Sequence, residues 1–511
     1  MVNDIQIKSN KEEHSIFYLG QLVIFFVYVG ILLFSVSKHE LWGDEIHSWN
    51  IAKSSNSLID LFQNIRYEGH PPLWYIFLFF ISKISHNPES FQWVHAVISI
   101  LVIFLILHAS PFPFLFKVLI PLGYYFAFEY SVLSRNYAIG ILIAFYICLI
   151  LNKTYKYKLL VFYLLIFLLS NTHLLGLVLS VSFCVYVAYD GFEKNRSYYQ
   201  AIGKLFVGAI IVLPSLYLIM PPSDSELNFS FWIDRWNLQQ LLIILQIPVK
   251  SFFTIPAWWN HHFWNSNFLL EWNTNNWVIR IVSICSFIGI MGAIYYLLKK
   301  NKGILIFFGC NFLLTCLVGF IFPLTSTRYV GFVFIAFIIS MWFYLGKDKF
   351  DIRQRAIILG FLVLQIFGAS IALYRDWKQP FSNSLKVKDL YEIIPKNETI
   401  VTDYWCLNYL SAFVDKPFYC LGFKREMSFL LWDREMANIL TQTNLYSSGV
   451  KELMEKKSVE QIYLISTNDM NKLQSIDIHL ISTFEILNLA KWEGAIESNS
   501  NLYLYLIKVK K

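Results

Sequence analysis

Charge is what this chain has least of. Of its 511 residues 15% are Asp, Glu, Lys or Arg, while 56% are hydrophobic. A water-soluble domain carries about a quarter charged residues, so an ordinary soluble globule is excluded and a membrane-embedded chain is implied. Cysteine is also sparse, seven in all, and no Cys/His spacing suits a zinc site. Five of them (Cys148, Cys184, Cys285, Cys310, Cys316) lie in apolar stretches as small hydrophobes, whereas Cys406 and Cys420 can pair if their segment faces an oxidising compartment. There is no Gly-rich phosphate loop, no low-complexity tract and no repeat at solenoid period. The formal charge of +7 is no nucleic-acid signal, because the basic residues sit in short loops between apolar runs.

What is abundant is apolar sequence. Mean hydropathy is +0.49 and aromatic residues make up 18%, enough for interfacial belts and for lipid or sugar contacts. Runs long enough to span, or nearly so, cover 16–36, 91–108, 112–130, 136–151, 158–170, 172–189, 203–220, 276–298, 303–322, 328–345 and 356–374. The first lacks a small-residue cleavage site and reads as a retained span behind a cytoplasmic N-terminus, 1–15. The run 71–85 is apolar but short, and reads as a juxtamembrane or re-entrant helix. The expected fold is therefore a polytopic α-helical membrane protein of about eleven spans over 16–376.

Charge sets the expected orientation. Lys153/Lys156/Lys158, Lys194/Arg196, Lys299/Lys300/Lys302 and Lys347/Lys349/Arg353/Arg355 fall in every second loop, which puts those loops in the cytoplasm. If 71–85 does not cross, Asp44, His70, Glu129, Arg135, His173 and Arg328 all belong to the outer face. Beyond residue 376 short β-rich runs (399–403, 417–421, 461–466, 480–486, 502–509) alternate with helical patterns at 385–394 and 450–457. That alternation predicts a small α/β domain over 377–511, outside the cytoplasm. A long Trp-rich outer segment, 221–275, suits a surface-lying or cavity-roofing role.

Two motifs in the first outer loop carry chemistry. Leu41-Trp42-Gly43-Asp44-Glu45 sets adjacent carboxylates just past a span, and Glu68-Gly69-His70-Pro71-Pro72-Leu73-Trp74-Tyr75 runs charge into a Pro-started apolar helix. Asp44 can serve as a general base for an acceptor hydroxyl, with Glu45 orienting a substrate or cation; the plainer alternative is a helix cap. Two prolines fix the backbone at a helix start and hold His70 and Glu68 at a rigid entry point. Arg135, in Ser134-Arg135-Asn136-Tyr137, and Arg328-Tyr329 open later spans, and a guanidinium there either snorkels or grips a phosphate. With His173 they suggest a phosphate-binding rim, to which Tyr137 and Tyr329 belong by position, while Glu129 either joins the site or pairs with Arg135.

Asp-Glu in the first outer loop, His-Pro-Pro before a juxtamembrane helix and Arg-x-Tyr opening a later span together resemble the GT-C membrane glycosyltransferases. The pattern is most similar to the bacterial branch related to protein O-mannosyltransferases and lipid A aminoarabinose transferase. The resemblance covers roughly 16–345. It implies transfer, with inversion, of a sugar from a polyprenyl-phosphate donor to an acceptor hydroxyl on lipid, glycan or protein at the outer face of the cell membrane. It implies Asp44 as the catalytic acid position, Arg135 at the donor phosphate, and His70-Pro71-Pro72 as the segment shaping the site. Glu68 stands where relatives vary. No cofactor follows from it beyond an optional divalent cation. Two other classes stay open at this point: a lipid or glycolipid flippase, and an enzyme that polymerises or ligates lipid-linked glycans.

Overall fold

The computed structural model describes residues 2–225, 238–322, 324–441 and 444–510, so 226–237 of the Trp-rich segment, and Pro323, lie outside the described residues. Contacts divide the chain into two compact units. One comprises Met1–Ser37, Val94–Tyr217 and Ser230–Arg375; the other comprises Lys38–Trp93, Leu218–Phe229 and Asp376–Lys511.

The chain is a helical membrane protein. Among the described residues eight helices are long and apolar enough to cross a bilayer: Phe17–Lys38, Glu89–Ala109, Leu174–Asn195, Tyr198–Ile219, Asn276–Leu298, Lys302–Ile321, Thr327–Leu345 and Ile352–Lys378. Each matches a run read from the sequence. The other three runs fold differently. Tyr137–Leu151 and Lys158–Ser170 are helices of 15 and 13 residues, about 20 Å long against a hydrocarbon layer of about 30 Å. The run 112–130 is not one helix, because prolines at 113 and 121 interrupt it. It forms Phe114–Leu119 and then a π-helical turn, Tyr125–Glu129, in which the Tyr130 amide reaches back to the Tyr125 carbonyl at 2.9 Å. Such turns recur at functional sites because they re-aim a side chain at a cost in helix regularity.

The burial pattern follows the sequence. Thr327–Leu345 is apolar all round, and nearly all its side chains are buried against the Tyr137–Leu151, Leu238–Phe252 and Lys302–Ile321 helices. Tyr198–Ile219 and Asn276–Leu298 instead present Phe206, Leu213, Ile281 and Ile288 to the outside, as lipid-facing helices do. Gly331 lets the π-helical turn pack close: a methyl group there would collide with the Tyr125 ring and the Tyr130 hydroxyl.

The second unit contains a six-stranded sheet in the order β3-β2-β1-β4-β6-β5. Its strands are β1 (Ile400–Thr402), β2 (Phe418–Cys420), β3 (Arg425–Met427), β4 (Gln461–Ser466), β5 (Phe484–Trp492) and β6 (Leu502–Val509). β1 runs parallel to β2 and β4, joined to β2 through the Tyr404–Val414 helix; the outer pairs are antiparallel. Val401, Leu464, Tyr505 and Ile507 supply the buried face, closed by Val450 and Leu453 of the Leu445–Lys457 helix. The expected strand 480–486 is corrected: Ile478–Thr483 is a helix because the Asp477 side chain caps it, accepting from the Leu480 amide at 3.0 Å, and the strand begins only at Phe484. Cys406 and Cys420 are buried free thiols.

Candidate functional site

The predicted residues fall in two groups, one in each unit. Asp44, Glu45, Glu68 and His70 belong to the second unit; Glu129, Arg135, Tyr137, His173, Arg328 and Tyr329 belong to the first.

In the second unit the Gly43–Ser54 helix begins immediately after Trp42, so Asp44 and Glu45 occupy its first turn. The positive end of the helix dipole there favours negative charge. The two acids have different surroundings. Glu45 is buried; one carboxylate oxygen accepts the Trp42 amide at 3.1 Å and lies 3.2 Å from His39 Nε2. His39 Nδ1 lies 3.1 Å from the Asp376 carboxylate. Burial alone would discharge His39, but the Asp376 and Glu45 carboxylates outweigh it and hold the imidazole up at about 10. A protonated ring donates one N–H to each acid, so Glu45 is committed to a buried charged triad that fixes the start of the helix.

Asp44 is only half-buried. Its charge acts on His47, one turn along the helix, and on Tyr409 and Glu497. Tyr409 belongs to the Tyr404–Val414 helix, and its hydroxyl hydrogen-bonds with the Gly43 backbone. The two helices are further joined by Asn50 Nδ2 on the Asn408 carbonyl (2.7 Å), and by Lys53 Nζ on the Ser411 carbonyl (2.9 Å) and the Asp415 carboxylate (2.7 Å). A strap at 380–384 secures the same corner: Ser382 Oγ donates to the Leu41 carbonyl at 2.6 Å, and the Phe381 carbonyl accepts the Glu497 amide at 2.9 Å. Burial, with Asp44 adding to it, pushes the Glu497 carboxyl up to about 7.

The second motif is likewise built in. Glu68 accepts from His47 Nε2 at 2.9 Å and from the Tyr75 hydroxyl at 3.2 Å. Burial would raise the Glu68 carboxyl, but the His47 charge and hydrogen bond, with His70 and Tyr75 adding to them, bring it below the ordinary value. Burial likewise works against charge on His47, and Glu68 outweighs it, so the imidazole titrates above its ordinary value. Gly69 adopts φ 64°, a left-handed conformation that turns the chain between Glu68 and His70 and strains any other residue. Pro72 then opens the Leu73–Ile84 helix, 12 residues and about 18 Å long, with Trp74 and Tyr75 buried.

In the first unit the Tyr137 and His173 rings gather around Tyr130 and Phe332. Tyr130 donates to the Arg328 carbonyl at 2.6 Å, and its ring lies 5.4 Å from Tyr137 and 5.5 Å from Phe332. The His173 ring is 5.0 Å from Tyr137 and 4.4 Å from Phe332. His173 Nδ1 accepts the Gly176 amide at 3.1 Å and caps the Leu174–Asn195 helix, which leaves the ring proton on Nε2. Arg135 is buried, and Asn136 beside it holds the Thr172 carbonyl at 3.2 Å. Glu129 takes the Tyr124 hydroxyl at 2.7 Å and lies within electrostatic reach of Arg328. The Arg328 guanidinium stacks over Tyr329, 5.1 Å from its ring centroid.

Among the described residues no group of three or more His, Cys, Asp or Glu side chains is placed to hold a metal ion. Sequence reasoning missed His39, Asp376 and Tyr409 as partners of the first-loop motif. It also missed His47, for which spacing gives a signal: three residues after Asp44, it shares that face of the helix. No protein-family model matches this chain, and no curated protein matches it.

Proposed function

We propose that the chain is an inverting glycosyltransferase of GT-C type, which moves a sugar from a polyprenyl-phosphate carrier to an acceptor hydroxyl at the outer face of the cytoplasmic membrane. The observation that carries this reading is a half-exposed carboxylate, Asp44, in the first turn of the helix that follows the first span. Glu45 is held by His39 and Glu68 by His47; Asp44 stands at the position the GT-C resemblance gives to the catalytic acid. A polyprenyl-phosphate sugar is already activated, so a base, cations for the departing phosphate and a lipid-accessible chain suffice.

In this reading Asp44 takes the proton of the acceptor hydroxyl as its oxygen bonds to the anomeric carbon. The carbon–oxygen bond to phosphate breaks, and polyprenyl phosphate leaves. In the first unit Arg135 and Arg328 are the cations proposed for a phosphate, with His173 Nε2 as a further N–H donor. Tyr137 and Tyr329 orient His173 and Arg328 respectively, and Glu129 tunes Arg328. In the second unit His70 and Glu68 shape the acceptor side. The eleven-span topology belongs to the same proposal: the eight long helices are joined by 112–130, Tyr137–Leu151 and Lys158–Ser170 as short crossings, and the sheet-bearing residues 377–511 lie outside.

The test is turnover and donor binding by Asp44→Asn, measured separately on purified protein in lipid. The proposal expects transfer and donor hydrolysis to disappear while labelled donor still binds. Near-normal turnover by this variant removes Asp44 from the role of base.

A further inference from the structure

We infer that Trp405 and Trp432, beside the His47–Glu68 pair, form an acceptor subsite that takes a saccharide ring. As an acceptor subsite this rests on the transferase reading; as a saccharide contact it stands alone.

The two indoles come from separate segments of the second unit. The Trp432 ring lies 5.9 Å from the His47 ring at 65°, and the Trp405 ring lies 6.2 Å from Trp432 at 53°. Tyr404 extends the row, 5.3 Å from Trp405. All three rings are partly exposed, in contrast to the fully buried Trp49 and Trp74 of the same unit. They lie outside the spanning helices, which sets them apart from residues such as Trp277 at the start of Asn276–Leu298, where an interfacial belt accounts for an indole.

Both residues sit on anchored backbone. Trp405 sits in the first turn of the Tyr404–Val414 helix, whose cap, Asp403, accepts the Cys406 amide at 2.7 Å, the Thr467 amide at 2.8 Å and Asn468 Nδ2 at 3.0 Å. The carbonyl of Trp432 accepts Ser225 Oγ at 3.0 Å. Backbone anchored in this way limits how far either residue shifts on binding.

The chemistry beside them is polar in a particular way. A pyranose has an apolar face of C–H groups and a rim of hydroxyls. Indole faces suit the first, and carboxylate and imidazole groups suit the second. The His47 ring stands against Trp432 and is itself paired with Glu68, and the half-exposed Asp44 lies one turn from His47 on the same helix. A sugar seated on Trp432 would therefore have His47 at its edge, one helical turn from the group proposed as base. An acyl chain has no comparable use for an imidazole at an aromatic face.

Saturation-transfer NMR reads this contact directly. The full chain in nanodiscs is irradiated at its aromatic resonances in the presence of methyl glycosides of glucose, mannose, galactose and N-acetylglucosamine. The inference expects ring C–H protons of at least one glycoside to be saturated, and the signal to fall about tenfold, equivalent to ~1.4 kcal/mol, in Trp405→Ala/Trp432→Ala. It expects Trp405→Phe/Trp432→Phe, which keeps the faces and packing, to retain most of it. Absence of saturation with every glycoside overturns the inference, as does an undiminished signal in the alanine variant or saturation passing only to lipid acyl protons. Glycoside contact without donor cleavage by the wild-type chain would sink the transferase reading and keep the saccharide contact; cleavage without contact does the reverse.

Discussion

Replacing His39 by Leu tests the most tightly built part of the candidate site. His39 is fully buried between two buried carboxylates, 3.2 Å from Glu45 and 3.1 Å from Asp376. Leucine fills a similar volume, so the change is mainly electrostatic. It leaves Glu45 and Asp376 facing each other without the cation between them. Removing one partner of a buried ion pair costs ~3–5 kcal/mol. For a unit of about 200 residues each kcal/mol is worth about 2–4 °C, so the unfolding midpoint should fall by about 6–20 °C. The assay is intrinsic tryptophan fluorescence on heating in detergent, followed through a pH series. The folded-state value of His39, about 10, exceeds the ordinary 6.5. Its contribution to stability is therefore complete below about pH 6.5 and is lost as pH rises through 10. Wild type should lose stability across that interval, and His39→Leu should show a flatter profile. Adding Glu45→Gln and Asp376→Asn to His39→Leu removes the uncompensated charge and should recover much of the loss. A drop under about 2 °C, or no recovery in the triple variant, refutes the charged triad.

The other pair of the site has a window with two edges. Glu68 is lowered, so its contribution is present above the ordinary carboxylate value and lost as pH falls below it; His47 is raised, so its contribution is present below about pH 6.5 and lost above its folded value. Glu68→Gln should flatten both edges of the stability profile, and an unchanged profile argues against the ion pair. Gly69→Ala should cost ~1–2 kcal/mol, because φ 64° is left-handed, and thermal unfolding reads it; a neutral substitution counts against the turn. Arg135→Ala should weaken binding of a labelled polyprenyl-phosphate sugar by at least about tenfold, the loss of one charge-assisted contact, and undiminished affinity would remove Arg135 from the phosphate role.

Local features of the site were legible in the sequence, and long-range partnerships were not. Asp44 and Glu45 stand out because carboxylates past an apolar run are rare, and Gly69 with Pro71-Pro72 because each residue type fixes a backbone geometry. Asp376 gives no comparable sign: 337 residues separate it from His39, and only the fold joins them. The strands Gln461–Ser466 and Leu502–Val509 coincide with the runs read from sequence, since both are continuous apolar stretches buried in the sheet. Arg425–Met427 escaped notice because it is a short, polar edge strand with no alternation to reveal it. The 112–130 run reads as a span by composition, but Pro113 and Pro121 divide it, and its π-helical turn depends on glycine at 331, a distant position.

The central claim is that sugar leaves a polyprenyl-phosphate carrier through Asp44. It is tested most directly by release of radiolabelled sugar from a panel of polyprenyl-phosphate sugars, using wild-type and Asp44→Asn protein in lipid. Water stands in for an absent acceptor, so the acceptor need not be identified. The account predicts slow release of free sugar from at least one donor by wild type and none by Asp44→Asn. Donor binding with no release from any member of the panel contradicts it, and moves the weight to a glycolipid flippase or to an enzyme acting on longer lipid-linked glycans.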